Sequence, residues 1–360
     1  MNVLVAMSGG VDSAVTAHLL RSNGYNTWGV HMILNDEVAC DINTRSCCST
    51  KDSQDAREVA QSLGMYFDAI PMQSSFKKAV IDNFISEYAA GRTPIPCTLC
   101  NGYLKFKLLF DYAESAGFTH IATGHYARVN RDYNLITPVM NQDGSICKKD
   151  QTYYLWQIES SKIPRVMFPV GEEFCNKDSV REYADYHGIV VAQKPDSQNI
   201  CFIPSNDYRK YLRDARPDLF SPKIGNIVDQ NNSIVSTHDG YWNFSIGQRA
   251  RIAGLPSAKY VVDIIPDTNT IVVADKQDGL TNEFVITDCN LHANLDCASE
   301  LWIKINANSP MHKISNFSLD GTSIYVKLEN SVRPSRGQAG VIYGMVDGKI
   351  IAMLGGGWIK

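Results

Sequence analysis

The chain opens on a continuous apolar run, Val3-Leu4-Val5, of the kind that makes a strand buried on both faces of a sheet. Ser8-Gly9-Gly10 ends the run. Val11, Ala14, Val15, Ala17 and Leu19 then recur at helical spacing up to Gly24. The alternation continues with a second strand at Trp28–Ile33 and a helix at Asp52–Leu63, which carries Ala56, Val59, Ala60 and Leu63 on one face. Tyr66–Ile70 reads as a third strand and Phe76–Ala90 as a helix stopped by Gly91. The polar stretch Asn35–Lys51, with Cys40, Cys47 and Cys48, reads as a mobile loop. Pro94 and Pro96 argue against a helix across Arg92–Asn101. Beyond them, Leu104–Ala116 reads as helix, His120–His125 as a strand running into a turn, and Lys148–Ile158 and Ser179–His187 as helices.

Strands alternating with helices at this spacing predict an α/β fold built on a doubly wound parallel sheet, the nucleotide-binding arrangement. The pattern changes near Pro204. Between 224 and 275 short β-rich pieces are broken by Gly240, Gly247, Gly254 and Pro266. From about 283 to 358 strands (Glu300–Asn306, Ser323–Leu328, Ala339–Val346, Lys349–Leu354) alternate with turns, which reads as a small β-barrel. The expected organisation is a nucleotide-binding domain at 1–204, a small mixed β-rich domain at 205–280 and a C-terminal β-barrel at 281–360.

Composition narrows the class. At 360 residues, 44% hydrophobic and 20% charged, the chain is an ordinary globular protein too long for one core. No apolar run approaches the ~18–20 residues of a membrane span, and the immediate entry into a strand leaves no room for a leader peptide, so the expected location is cytoplasmic. In that reducing compartment ten cysteines point to metal, catalysis or core packing rather than disulfides. A net charge of −4 argues mildly against a nucleic-acid partner. Charge can be segregated, however. Arg92, Lys105 and Lys107 occupy 92–107 without an acid, and Arg209, Lys210, Arg213 and Arg216 cluster further on; a solvated face is the default for either group.

The chemistry concentrates at Ser8-Gly-Gly-x-Asp-Ser13. Two glycines let the backbone approach an anion, and the helix that follows offers unpaired N–H groups and the positive end of its dipole. Ser8 and Ser13 add hydroxyls, and Asp12 adds a carboxylate to orient the turn or hold Mg²⁺. Such a turn suits phosphate or pyrophosphate. It lacks the Gly-Lys-Ser/Thr and Gly-x-Gly-x-x-Gly patterns of other nucleotide loops. Met32 and Gly124-His125 fall at the same strand ends, where ligands bind in such sheets. Cys97-Thr-Leu-Cys100 has the spacing of a zinc knuckle or a redox pair, but no second Cys-x-x-Cys exists to complete a zinc site. Cys201 alone reads as a small buried hydrophobe.

SGGVDS resembles the pyrophosphate loop of ATP pyrophosphatases. Together with GRTPIPCTLCN at 91–101, ATGHYAR at 122–128, DQTYYL at 150–155, KPDSQNICFIP at 194–204 and FSIGQR at 244–249, it resembles the tRNA-specific 2-thiouridylases from residue 1 to the Gly355-Gly-Gly end. The resemblance implies an ATP-dependent sulfurtransferase that thiolates the wobble uridine of tRNA at carbon 2. In it, ATP activates the uracil O2 as an adenylate and releases AMP and pyrophosphate, and a cysteine persulfide supplies sulfur. Carried over, Cys201 matches the persulfide carrier and Cys100 the nucleophile. Ala6, Met7, Ser8, Gly9, Gly10, Val11, Asp12, Ser13, Met32 and Gly124 match the ATP site. Ile95, Pro96 and Cys97 match the segment facing the target base, and His125, Lys149, Asp150, Gln151 and Gln338 match tRNA contacts. ATP with Mg²⁺ and a persulfide-donating protein are the implied cofactor and partner; no resident metal is expected.

Two departures stand out. Cys97 replaces an acidic residue common in that family, and Ile305-Asn-Ala-Asn-Ser309 lacks the basic and aromatic residues expected there. Two competing readings are another ATP-pyrophosphatase-type ligase and a zinc-stabilised RNA-binding protein.

Overall fold

The computed structural model describes residues 1–34, 50–195, 200–203, 206–252 and 257–360. The reading of 35–49, with its three cysteines, and the break at Gly254 lie outside them.

The N-terminal region carries strands β1 (Asn2–Ala6), β2 (Asn26–Ile33), β3 (Tyr66–Pro71), β4 (His120–Ala122), β5 (Arg128–Asn130), β6 (Leu135–Thr137) and β7 (Val166–Met167). Five form a parallel sheet in the order β3-β2-β1-β4-β7. Helices lie on both faces because β1 buries alternate residues in opposite directions. Val3 and Val5 pack with helices α1 (Val11–Ser22) and α2 (Thr50–Ser62), whereas Leu4 packs with Phe106, Leu109 and Phe110 of the helical stretch 96–115. The expected doubly wound arrangement is present, and the chain order reverses beside β1. That crevice faces the carboxyl ends of β1 and β4.

Two expectations require correction. The helix expected from Leu104 begins at Pro96 and runs without a break to Ser115, widening to i→i+5 hydrogen bonding over Cys100–Leu108. A proline at the first helical position lacks only an N–H that would have no intrahelical partner anyway, so Pro96 starts the helix instead of forbidding it. The helix expected at Lys148–Ile158 is absent apart from one turn at Thr152–Tyr154. There the Asp150 carboxylate accepts hydrogen bonds from Val139 N (3.1 Å) and from Thr152 Oγ1 (2.6 Å), and the Tyr153 hydroxyl donates to Ala339 O at 2.9 Å. These contacts across the fold outweigh local helical preference. Ahead of the β-rich stretch the chain forms two helices, Tyr208–Ala215 and Pro217–Phe220.

The next strands are β8 (Gly225–Val228), β9 (Ile234–His238), β10 (Arg249–Ala250), β11 (Lys259–Ile265) and β12 (Thr270–Ala274), in a mixed sheet ordered β10-β11-β12-β8-β9. Strands β13 (Thr281–Leu291), β14 (Ala298–Lys304), β15 (His312–Asp320), β16 (Ser323–Val332), β17 (Ala339–Val346) and β18 (Ile350–Ile359) follow. Their order, β13-β16-β15-β14-β17-β18, is closed by pairing of β13 with β18 into an antiparallel barrel. The hairpin β5–β6 adds to this sheet through Met353 and Ile136, so an N-terminal segment is stitched to the barrel. Among the described residues no helix is long and apolar enough to cross a membrane.

Candidate active site

The turn at Ser8–Ser13 is held from within. Ser8 N donates to Ser13 Oγ at 3.1 Å, and Ser13 Oγ donates to Gly10 O at 2.9 Å. Gly9 adopts φ +75°, and a Cβ there would lie 2.3 Å from Asp52 O, so only glycine lets the turn seat on the first turn of α2. Gly124, at the end of β4, meets the turn from the other side: a Cβ would lie 2.8 Å from the Asp12 carbonyl carbon and 2.9 Å from Ser13 N. Ala6 and Met7 lead into the turn from β1, Val11 is buried behind it, and Met32 ends nearby on β2. Met7 O accepts from His31 Nδ1 at 2.8 Å. The result is a backbone cradle with exposed Ser8 at its lip. Gly124→Ala is expected to push Asp12 and Ser13 out of register and raise the KM for ATP at least ~10-fold at a cost of about 1–3 kcal/mol in stability. Pyrophosphate release against ATP concentration, with a thermal melt, checks this; an unchanged KM sinks it.

Two lysines that motif reading passed over flank the turn. Lys177 Nζ donates to Asp12 Oδ2 at 2.6 Å while the Tyr126 hydroxyl donates to Oδ1 at 3.0 Å, so the Asp12 carboxylate is fixed at both oxygens. Lys194 Nζ reaches Gly9 O at 2.9 Å, Asp52 Oδ1 at 2.6 Å and the Asp55 carboxylate. Burial disfavours its charge, but the hydrogen bonds it donates to Asp52 and Asp55 outweigh that and leave the ammonium more basic than usual. The only sequence signal for Lys194 was its place at the head of the Cys201 motif.

Two of the thiols share a packing environment. Pro96 sets Cys97 in the first turn of its helix, where the dipole favours an anion, and Cys100 follows as the helix widens. Cys97 is exposed and Cys100 half-buried. Cys100 and Cys201 both pack against one apolar cluster that includes Phe84, Leu104 and Phe202. Residues 196–199 and 204 of the Cys201 motif lie outside the described residues. Phe202 also lines a cavity of about 1040 Å³ with Ile81, Ile85, Tyr211 and Leu219. Ile95 and Leu99 line a second cleft, of about 370 Å³, shared with Trp358 and Lys360 of the barrel end.

The remaining expected positions fall around this centre. Gln338 Nε2 donates to Thr93 O at 2.8 Å, tying the barrel to the segment before Pro96. His125 is buried near Phe106 and Phe168, with Nδ1 2.7 Å from Thr123 Oγ1; burial, and next the Lys105 charge, keep it neutral well below its ordinary range. Gln151 is a clamp, its Oε1 accepting from Tyr126 N at 3.0 Å. Lys149 is exposed.

Asp150 is pushed up to about 6 by burial, against the opposing Thr152 and Val139 hydrogen bonds and the Lys304 charge. Because the folded protein binds this proton more tightly than the unfolded chain does, the associated stability is full below about pH 4 and lost as pH rises through about 6. A carboxyl NMR titration should place Asp150 near pH 6; a midpoint below 4.5 refutes it.

Comparison with known proteins gives the same outline. Residues 1–205 match the family model described as tRNA methyl transferase HUP domain, and 217–275 that described as tRNA methyl transferase PRC-barrel domain. The chain is 43% identical over 297 residues to the tRNA-specific 2-thiouridylase MnmA of Carboxydothermus hydrogenoformans, covering 80% of this chain and 78% of that protein. It is 36% identical over 363 residues to the protein of the same name in Clostridium perfringens, covering 99% and 98%. A Leptospira biflexa relative of that name is 37% identical over 356 residues, covering 95% and 89%. With its N-terminal family match and this near-full-length similarity, the chain belongs to the family of tRNA-specific 2-thiouridylases.

Proposed function

We propose that this chain catalyses ATP-dependent 2-thiolation of the wobble uridine in tRNA. The observation that supports the reading is that Cys100 and Cys201, far apart in sequence, both pack against one apolar cluster, in a chain whose amino-terminal turn is a tightly seated glycine turn. In this reading residues 1–204 form the ATP-pyrophosphatase domain, 205–280 the central β-rich domain and 281–360 the barrel.

Uracil O2 is a poor leaving group as hydroxide. Its attack on the α-phosphorus of ATP expels pyrophosphate and converts it to AMP, a far better one. Ser8, Ser13 and the backbone N–H groups from Gly9 to Val11 hold the phosphates, and Met32 and Gly124 border the nucleoside. Asp12, whose oxygens accept from Lys177 and Tyr126, is the residue that would hold a Mg²⁺ accompanying the phosphates, which would offset their charge. The terminal sulfur of a Cys201 persulfide, loaded by a donor protein, attacks carbon 2 and AMP leaves. Cys100 thiolate then attacks Cys201 Sγ. The S–S bond breaks with its electron pair on the sulfur now attached to the base, leaving a Cys100–Cys201 disulfide that a dithiol must reduce. Thiols suit both steps because they ionise near neutral pH, where an alcohol needs a base.

The target base has to leave its stack to reach this chemistry. The cleft beside Ile95, with Pro96 and Cys97 at its helix start, is the place we assign to it. Lys149 offers a phosphate contact, while His125, Asp150, Gln151 and Gln338 act by holding the shape of the tRNA-facing surface. Mass spectrometry of tRNA after incubation with the protein, ATP and a persulfide source should reveal 2-thiouridine at the wobble position. Pyrophosphate release without thiolation would mark an ATP pyrophosphatase acting on some other substrate.

A further inference from the structure

We infer that Tyr103 and Lys107 form an RNA-binding element that stacks a base of the anticodon loop and holds its phosphate beside the thiols. The inference rests on the tRNA reading above and extends it to residues that no motif marks. Tyr103 lies three residues beyond Cys100, in the same widened stretch of helix. It is 38% exposed, unusual for a large aromatic side chain in a helix that otherwise buries Leu104, Phe106, Leu109 and Phe110.

The rotation of the helix is fixed, so the exposure is a built feature. Gly102 presses so closely on Gln157 that a Cβ would lie 2.3 Å from Oε1, and the four apolar residues lock the inner face. Tyr103 and Lys107 are therefore directed outward. Lys107 Nζ sits 5.7 Å from the centre of the Tyr103 ring, and among the described residues Lys107 makes no ion pair with an acid. No acid occurs between Arg92 and Phe110, so the local field favours a polyanion. An exposed ring with a cation over one face is a pairing that single-stranded RNA meets on its binding proteins: a base stacks on the ring and the cation neutralises its phosphate. A protein partner with an acidic face would use the lysine but leave the ring's flat face without purpose.

The test uses the full-length chain, an anticodon stem-loop substrate and three variants. Tyr103→Ala should raise the KM for RNA roughly 10-fold, with kcat within about twofold, melting temperature unchanged and persulfide loading of Cys201 unchanged. Tyr103→Phe should keep the wild-type KM, because stacking needs the ring and not the hydroxyl. Lys107→Gln should weaken binding about equally across sequences and reduce the slope of log K against log salt by about 0.7, the value for one phosphate contact on a single strand. A Tyr103→Ala KM within twofold of wild type overturns the inference, as does a Tyr103→Phe variant as weak as Tyr103→Ala. A wild-type chain that binds no tRNA overturns the functional reading as well, which separates the two failures.

Discussion

Replacing either Cys100 or Cys201 with serine should abolish tRNA thiolation, with a loss of at least ~10³-fold, while tRNA affinity stays within about twofold of wild type. The two variants should fail at different points. Cys201→Ser has no sulfur on which to carry a persulfide, so label from a radioactive sulfur donor should not reach that site. Cys100→Ser should load normally and then stall, because a serine hydroxyl does not cleave an S–S bond. The base would stay linked to Cys201 through the transferred sulfur as a complex that survives denaturation and is released by a thiol reductant. Sulfur for oxygen is a small change at half-buried positions, so folding is not the confounder. A wild-type rate from either variant would refute the assigned roles.

The second large effect is expected at Lys194. Its ammonium joins the Gly9 carbonyl of the phosphate turn to Asp52 and Asp55 of α2, whose side chains are only 8% and 18% exposed. Lys194→Met keeps the length and apolar stem but leaves two neighbouring carboxylates without their cation. Breaking such a group costs about 3 kcal/mol, and the carboxylates would then repel the incoming triphosphate. The melting temperature should fall by several degrees and the KM for ATP should rise more than ~10-fold. Lys194→Arg should recover stability only in part, because a planar guanidinium does not reproduce three contacts converging on one nitrogen. Calorimetry and ATP titration of pyrophosphate release report both quantities. A methionine variant with native melting and native KM would show that the lysine is a bystander. Lys194 also stands seven residues before Cys201.

The legible parts of this molecule were those written in contiguous residues. Val3 to Leu19 encode a strand, a turn and a helix within one short window, and each carries its own periodicity or glycine. The turn therefore folds as its residues suggest, down to Gly9 at φ +75°. Order of elements was equally clear, because alternation of strand and helix leaves few ways to stack them. Misreadings arose where a local rule met a distant partner. Pro96 looked like a helix breaker until its position at the first turn was known, and 148–158 had helical spacing but gave up its helix to bonds with Val139 and Ala339.

Sequence alone determined the strand–Ser-Gly-Gly-turn–helix at the amino terminus, the parallel sheet it belongs to and, through ordered motifs, the family to which the chain belongs. Tertiary structure alone decided that Cys100 and Cys201 share one apolar cluster, that Lys177 and Lys194 brace the turn, and that Tyr103 faces outward beside Lys107. The physical reason is range. Backbone preferences and hydrophobic period act over a few residues and can be read along the chain. Ion pairing, close glycine contacts and the rotation of a helix depend on which distant segments the packed core brings within a few ångströms of each other.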